Sequence, residues 1–518
     1  MQKFMIAVAL ATGLTASAHA EDLLIGTGAT ITSIDPHFYN ASPNNSIAMQ
    51  IFDRLAERTA AGRLVPGLAE SWEATGETEW TFRLRQGVTW HDGEAFTAED
   101  VVFTLDRAGD VPNSPGGFGG FLRGIENAVA VDDHTLVITT DVPVPDLPGN
   151  LANIAVVSQH AGEGAETSDY NDGSAAIGTG AFEFVSFSNG DAVELQRNDQ
   201  WWGGEVAWES ATYKMMTSEG GRTAALLSGD VDIIDTPPAA DLPRLNSTDG
   251  IHVTSVPGLR VIYFEINYRE ISEVTGLTDS NGQALEVNPL QDVEVRRALS
   301  MAINREAIVE RIMQGTATAS AQWLPQGAFS YAPDVTVSNA DLEAAKDKLA
   351  QAGYPEGFQL TLYAPNDRYP NAPEVAQAVA QMWTRIGVQT SVEVLPWSTY
   401  SSARESYAIH IIGLGNSTFD ATSMLINRLG TREEATGMGA SNVSAYSNPE
   451  LDALTMEAIS IVDETEREQA LIEAVEFVIE DQAIIPLYQQ SNAWAMRDGI
   501  DYEPRIDERT LAKDVVLD

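Results

Sequence analysis

Apolar residues recur along this chain with two different periods, and each period predicts a different kind of element. Strict alternation over 79–85 and 358–362 indicates half-buried strands, whereas the spacing over 292–303 and 464–480 is typical of amphipathic helices. Between residues 356 and 430 strands and helices follow one another, which predicts a parallel βαβ unit. The pattern as a whole predicts a mixed α/β fold.

The segment 407–430 combines a strand, a polar loop and a helix. Its apolar run, 408–414, is rich in isoleucine, and the helix that follows is capped by Asp420 or Thr422 and ended by Gly430. Open α/β sheets bind ligands outside the carboxyl ends of their strands. An ordinary surface loop has the same pattern and is the more frequent case, so this segment alone does not predict a site.

Capping patterns predict the starts of two other helices. Asn45 or Ser46 is expected to cap a helix over 46–55, after a loop rich in proline and asparagine. Ser338 and Asp341 have the spacing of a capping box, which predicts a helix directly after them.

Residues 1–20 have the features of a secretory signal peptide. Lys3 is followed by an apolar core, and Ala18-His19-Ala20 is a small-x-small cleavage site, so we expect cleavage after Ala20. The chain contains no cysteine, which excludes disulfides, thiolate metal sites and a lipid-modified cysteine. The sequence therefore predicts a freely diffusing periplasmic protein of a two-membrane bacterium.

Composition limits both the size class and the partners. A length of 518 residues suggests about three domain-sized units. The formal net charge is −45, from 75 acidic and 30 basic residues. Such a balance argues against binding to nucleic acid or to an anionic membrane surface.

No enzyme motif is found. The sequence lacks a Gly-x-Ser-x-Gly elbow, a His-Glu-x-x-His pair, a Walker loop and an EF-hand loop, and its seven histidines are scattered singly. His91-Asp92 is interpreted as part of a turn, and His410, inside an apolar strand, as a core histidine rather than a metal ligand. We therefore predict no catalytic residue, no metal site and no cofactor.

Several segments together resemble a known family, the peptide/nickel (family 5) extracellular solute-binding proteins of bacterial ABC importers. They occur in order along nearly the whole mature chain. The matching segments are LAESWEATGETEWTFRLRQGVTWHDGEAFTAEDVVFTLDR (68–107), GTGAFEFVSF (178–187), LQRNDQWWGG (195–204), AALLSGDVDII (224–234), DVEVRRALSMAINREAIVERIMQG (292–315) and AAKDKLAQAGYPEGFQLTL (344–362).

The resemblance implies a two-lobed periplasmic-binding-protein fold of type II, in the large cluster with an extra subdomain, whose lobes close over a cleft by a hinge. Lobe I would comprise 21–265 and 487–518, with the extra subdomain at about 56–175, and lobe II would comprise 266–486. The chain would cross between lobes near 264–267 and 485–487.

The resemblance also implies site residues. Similar dipeptide binders hold the peptide carboxylate with an arginine in the loop after the strand that matches 358–363, where this chain has Arg368 followed by Tyr369. They hold the peptide amine with the aspartate of a Gly-Trp-x-Gly-Asp run. Here Leu414 replaces the tryptophan and Ser417 replaces that aspartate, which puts the amine anchor in doubt.

Other positions of the pattern remain open between ligand contact and packing. Asp420 could substitute for the missing aspartate or cap the following helix, and Asn416 precedes Ser417 in the same loop. Trp397 matches an aromatic residue before a helix, and Asn44 and Asn45 match a loop of the first lobe.

The predicted function is the capture of a short peptide or peptide-like solute and its delivery to ABC permease subunits in the inner membrane. The protein would be a monomer without enzymatic activity. A non-peptide solute (an opine, an oligosaccharide or glycoside, an amino-acid derivative or a metal chelate) is the alternative within the same fold. A secreted hydrolase and a ligand-presenting sensor are alternatives of another class.

Overall fold

The computed structural model of the chain describes residues 22–366, 368–415, 418–433 and 438–518, with the backbone only at Ser398. The predicted signal peptide therefore lies outside the described residues. None of the described helices is both long enough and apolar enough to cross a membrane.

Strands and helices alternate irregularly along the described chain. The strands are β1 Asp22–Thr27, β2 Ala56–Arg58, β3 Leu64–Pro66, β4 Ala69–Gly76, β5 Glu79–Leu84, β6 Ile125–Asp132, β7 Thr135–Thr140, β8 Phe182–Ser188, β9 Ala192–Arg197, β10 Ser210–Met215, β11 Ile233–Asp235, β12 Ile251–Ile266, β13 Leu277–Asp279, β14 Ala317–Ala319, β15 Phe358–Pro365, β16 Gln389–Leu395, β17 Ile409–Gly415, β18 Ile484–Arg497, β19 Ile500–Tyr502 and β20 Val515–Leu517. The helices are α1 Ser42–Ile51, α2 Ala98–Ala108, α3 Leu147–Leu151, α4 Gln159–Gly162, α5 Thr167–Asn171, α6 Glu219–Ser228, α7 Leu242–Asn246, α8 Val293–Met301, α9 Arg305–Ile308, α10 Leu342–Gln351, α11 Ala372–Arg385, α12 Trp397–Ala403, α13 Thr422–Met424, α14 Pro449–Ser460 and α15 Glu464–Glu480. Turns of π type extend α9 over Val309–Met313 and α13 over Leu425–Leu429.

One large sheet runs through the molecule in the order β13-β15-β17-β12-β18-β11-β1-β10-β9-β8, with β14 beside β18 and β16 beside β15. Its centre is the antiparallel pair β12 and β18. The two strands pair from Ile251 opposite Arg497 to Glu265 opposite Ile484, with two shifts of register between these ends. The larger break lies between Pro257 and Val261. A smaller four-stranded sheet, β4-β5-β7-β6, is separate.

Three main apolar cores form around these sheets. The first extends from Val261 to Tyr488, the second combines the N-terminal strands with Trp494 and the C-terminal segment, and the third lies within 55–156 against the small sheet. Val256 packs on the second core, and Val261 belongs to the first. The two long central strands therefore pass from one core to another at the break in their register.

The predicted βαβ unit is confirmed. β15 pairs in parallel with β16 and with β17, and α11 lies between β15 and β16 in the chain. The buried face of α11 is formed by alanine, valine and tryptophan side chains that pack on the first core. Parallel strands bring their carboxyl ends to one edge of the sheet, so the loops after β15 and β17 are neighbours.

Two predicted helix starts are wrong. α1 begins at Ser42 and not at 46, because Pro43 has no N–H to lose in the first turn of a helix and its fixed φ suits that position. α10 begins after Asp341, whose carboxylate accepts a hydrogen bond from the Ala344 N–H, so Ser338 is not its cap.

Two histidines have their ring nitrogens bonded in a way that only the neutral ring allows. His37 Nε2 donates to the Ala155 carbonyl at 2.7 Å, and Nδ1 accepts from the Arg107 guanidinium at 2.9 Å. His91 is bonded in the same way by two backbone groups of the 178–180 turn, at 3.1 and 3.2 Å. Burial, together with Arg107 in the case of His37, lowers the pKa of each ring to about 4.

We expect these histidines to make the fold sensitive to acid. The unfolded chain takes up a proton on His37 near pH 6.5, whereas the folded protein does not until about pH 4. The stability contribution is therefore complete above pH 6.5 and is lost as the pH falls. The unfolding free energy of wild type, measured by urea titration, should therefore fall between pH 7 and pH 5. In His37→Gln this fall should be smaller by about 2 kcal/mol.

Comparing wild type with His37→Gln cancels the contributions of other titrating groups, which the two proteins share. Burial raises the pKa of Asp53 to about 6, which works in the opposite sense and cancels in the difference between wild type and variant. Equal losses in the two proteins would show that His37 is protonated in the folded state.

Candidate ligand-binding site

The carboxyl end of β17 has two glycines on one face of the sheet, and a tyrosine lies on the first. A Cβ atom on Gly413 would be 2.7 Å from the Tyr369 ring and 2.9 Å from Ile262, closer than packed atoms approach. Tyr369 is buried, and its hydroxyl donates to the Gly413 carbonyl at 3.4 Å. The absence of a side chain at Gly413 therefore lets Tyr369 lie against the strand.

Three of the predicted site residues meet beside this glycine. The Arg368 guanidinium lies 5.6 Å from the Tyr369 ring centroid and 5.5 Å from that of Trp397, the first residue of α12. The two rings meet edge to face at 6.0 Å. Arg368 is exposed and forms neither a hydrogen bond nor an ion pair with another described residue. Its planar fork is thus held by aromatic rings and remains available to an external carboxylate.

Gly413→Ala is expected to disturb this cluster. The added methyl group cannot be accommodated unless Tyr369 or Ile262 shifts, and overpacking of this kind costs about 1–3 kcal/mol. Urea unfolding should show that loss. The control is Gly220→Ala, since a Cβ there meets nothing within 4 Å. If both variants were as stable as wild type, the contact between Tyr369 and the strand would not be a packed one.

Asp420 is bonded to its neighbours in the loop after β17. Its carboxylate accepts hydrogen bonds from the Thr418 hydroxyl at 2.6 Å and from the Thr422 N–H and hydroxyl, each at 2.9 Å. Asn416 and Ser417 lie outside the described residues. Asp420 thus bonds within the turn before α13, whose N-cap position is Ala421 and not Asp420 or Thr422.

The two predicted asparagines near α1 form hydrogen bonds within their own segment of the chain. Asn44 exchanges hydrogen bonds with Thr32, and Asn45 donates to Asn40 at 2.8 Å. Both side chains are buried in the first turns of α1. These contacts position the loop before α1, and the structure does not bring the two amides to the Arg368 cluster.

A cavity of about 300 Å³ lies between the loop 418–420 and the segments 58–64 and 145–149. Arg58 crosses it, with its guanidinium 4.3 Å from the Phe419 ring centroid and a hydrogen bond of 3.5 Å to the Thr418 carbonyl. Phe419 is buried and has φ of 66°, a conformation rare for a bulky residue. Arg58 thus connects the segment 58–64 on one side of the cavity with the loop after β17 on the other.

Charged groups also join the two sides of this cavity. Arg467 on α15 lies 3.9 Å from Asp146, and Arg63 lies 3.7 Å from Glu468. Burial and the nearby Asp420 carboxylate raise the pKa of Asp146 to about 7, against the influence of its arginine neighbours. The cavity therefore contains acidic and basic groups from distant parts of the chain.

Comparison with known protein families identifies the family of this chain. The sequence profile described as "Bacterial extracellular solute-binding proteins, family 5 Middle" matches residues 63–435, which is more than half of the chain. The chain belongs to this family.

Individual relatives agree with the family assignment. Heme-binding protein A of Haemophilus influenzae is 29% identical over 481 residues, covering 86% of this chain and 81% of the relative. The dipeptide-binding protein of Escherichia coli is 28% identical over 419 residues, covering 75% and 74%. The solved structure of HbpA2 from Haemophilus parasuis matches with a TM-score of 0.83 at 24% identity, covering 96% and 100%. The predicted two-lobed periplasmic-binding-protein fold is confirmed.

One buried polar group of this family 5 protein was not predicted as part of a site. Glu265 on β12 and His410 on β17 are opposite each other in the register, with Oε2 and Nε2 2.9 Å apart. Arg428 approaches the same carboxylate to 3.8 Å. Burial raises the pKa of Glu265, but His410 and Arg428 outweigh it, so the pKa is lowered.

The sequence did contain a signal for this pair. His410 interrupts an apolar run, and Glu265 interrupts another, VIYFEI, so that two ionisable residues stand in two buried strands. Their pairing could not be predicted because the register between β12 and β17 joins segments far apart in the chain. Among the described residues, the side chain that faces the His410 ring at 2.9 Å is Glu265.

Proposed function

We propose that this family 5 protein captures a short peptide or peptide-like solute and delivers it to the permease subunits of an ABC importer. The ligand carboxylate would bind Arg368, and backbone groups at the end of β17 would pair with the main chain of a peptide. Asn416, Ser417 and Asp420 would determine what fills the rest of the cleft.

The observation behind this proposal is the availability of Arg368. Its guanidinium is oriented by two aromatic rings and has no carboxylate partner among the described residues. Arginine binds carboxylates through two parallel hydrogen bonds, and pre-orientation reduces the entropy lost when a ligand binds. The position, at the carboxyl ends of parallel strands, is where α/β sheets bind ligands.

The proposed lobes are 21–265 with 487–518, including an extra subdomain at about 56–175, and 266–486. The passage of β12 and β18 from one core to another supports such a division. The contacts of Arg58 and Arg467 would join the proposed subdomain to lobe II. Further closure of the lobes would bury Arg368 together with its ligand.

The proposed location is the periplasm, after export and cleavage behind Ala20. The protein would act as a monomer without catalysis, and its net charge of −45 disfavours nucleic acid as a partner. Relatives named for binding dipeptides support the peptide ligand.

A non-peptide solute is the second candidate. Leu414 and Ser417 stand where the resembled dipeptide binders have tryptophan and the amine-binding aspartate, and one relative is named for binding heme. An opine, a glycoside, an amino-acid derivative or a metal chelate would not need that aspartate.

Native mass spectrometry of the protein as purified tests the proposal. We expect a bound mass that tandem spectra assign to a short peptide or to a peptide-like molecule with a carboxylate. A bound sugar or metal chelate would favour the second candidate. Turnover of a peptide library by the purified protein would contradict the binding function and favour a hydrolase.

A further inference from the structure

A second arginine lies on the same sheet face as Tyr369, at the end of β17. Arg260 on β12 is opposite Gly415 in the register, and a Cβ atom on Gly415 would be 3.2 Å from its Nη2 atom. Gly413 and Gly415 are two residues apart, so they share one face of the sheet at a spacing of about 7 Å. Tyr369 covers the first glycine and Arg260 covers the second. Arg260 and Tyr369 therefore occupy neighbouring positions on this face, and Arg368 lies against Tyr369.

The hydrogen-bonding capacity of Arg260 is mostly unused. Its one acceptor among the described residues is Glu508, whose Oε1 atom is 3.4 Å from Nη2. The two side chains are 24% and 42% exposed, and a single long contact of this kind contributes little to stability. A guanidinium has five N–H donors in a fork that fits a carboxylate bidentately. Arg260 is thus a cation with a weak internal partner.

The Glu508 side chain borders a cavity, so it can move away from Arg260 without disrupting an apolar core. It belongs to the C-terminal segment and lines a cavity of about 230 Å³ together with Thr27, Ser42 and Thr236. Its φ of 61° is in the left-handed region that residues other than glycine rarely occupy. This cavity lies at the carboxyl ends of β1 and β11, so hydroxyl groups and space adjoin the ion pair.

Arg260 also lies at the break in the central strand pair. The register of β12 with β18 is interrupted between Pro257 and Val261, where the chain passes from one core to another. A Cβ atom at Gly258 would be 2.6 Å from the Asn492 side chain, so the bulged backbone is packed tightly there. A ligand that binds Arg260 would therefore contact the central strands where they pass from one core to the other.

We propose that Arg260 is a second anion-binding residue of the cleft and that Glu508 is a counter-ion which the ligand displaces. The proposal rests on the proposed function and narrows its ligand class. The solute would be a peptide or peptide-like molecule with two anionic groups, one for Arg368 and one for Arg260. Ser417 in place of the aspartate of the resembled dipeptide binders removes a negative charge from the same loop.

The two partners of the ion pair should respond in opposite directions when they are replaced. Loss of Arg260 removes an attraction for the second anionic group. Loss of the Glu508 charge removes a competitor for the same guanidinium, so binding should become tighter. If the ion pair served only to hold the C-terminal segment, both replacements would destabilise the fold. Their effects on affinity would then be the same for charged and uncharged ligands.

The test is calorimetric titration of ligand-free protein, refolded from guanidinium chloride, with the peptides Ala-Glu-Ala and Ala-Gln-Ala. These peptides differ only in one carboxylate. Wild type should bind Ala-Glu-Ala at least about tenfold more tightly. Arg260→Met should remove that preference through a loss of about tenfold for Ala-Glu-Ala alone. Glu508→Gln should tighten Ala-Glu-Ala severalfold and leave Ala-Gln-Ala unchanged.

Arg260→Lys provides a second variant if the methionine variant does not fold, since it keeps the charge and should retain part of the preference. Equal affinities of wild type for the two peptides would overturn the role of Arg260 and leave the proposed function intact. A weakening by Glu508→Gln would also overturn it. Absence of binding by both peptides would contradict the peptide-binding function and, with it, this assignment.

Discussion

Arg368→Ala is expected to weaken the binding of a carboxylate ligand by well over tenfold. When the lobes close, the guanidinium and the ligand carboxylate would lose their water together, and truncation of such a contact costs about 2–5 kcal/mol. The variant should fold normally, because Arg368 is exposed and contacts only the faces of two rings. Calorimetric titration with the ligand identified by mass spectrometry measures the effect.

The control for this variant is Arg385→Ala. Arg385 is an exposed arginine at the end of α11 and has no ion pair among the described residues. It should leave the affinity unchanged, whereas Arg368→Lys should give an intermediate loss, since lysine keeps the charge and lacks the fork. An Arg368→Ala affinity equal to that of wild type would remove Arg368 from the site.

Glu265→Ala is expected to destabilise the fold by about 3–5 kcal/mol. Its carboxylate is buried against His410 and Arg428, so removal leaves an arginine charge without its partner at the centre of the large sheet. The variant also loses packing on the face that it shares with Tyr263. Urea unfolding at neutral pH measures the loss.

Two further variants test whether the lost carboxylate charge causes the destabilisation of Glu265→Ala. Glu286→Ala, an exposed glutamate, should stay within about 0.5 kcal/mol of wild type. Glu265→Gln keeps the shape but not the charge and should still be clearly destabilised. If Glu265→Gln were as stable as wild type, the carboxylate charge would not matter for the pairing with His410 and Arg428.

Local sequence patterns predicted the elements that have strong local signals. The alternation over 358–362 and the apolar period of α11 predicted the βαβ unit, because each signal lies within one element. The loop pattern predicts the start of α1 too late, because proline occurs in loops but is also favoured in the first turn of a helix, where Pro43 lies. α14 is not among the predicted helices, although Asn448 and Pro449 form a recognisable helix start.

The site was predictable where a single loop defines it and not where distant strands meet. The family resemblance implies Arg368, Tyr369 and Trp397 as site residues, and the structure brings them together. The sequence does not predict the roles of Arg260 and Glu265, because their neighbours on β17 are about 150 residues away and only the strand register brings them together. The strained position of Phe419 has no sequence signal, since nothing local requires a positive φ there.

A crystal structure of the protein with its co-purified ligand tests the central claim most directly. We predict a carboxylate oxygen of the ligand about 3 Å from the Arg368 guanidinium, between Tyr369, Trp397 and the end of β17. A ligand bound elsewhere in the molecule, with Arg368 facing solvent, would contradict the account.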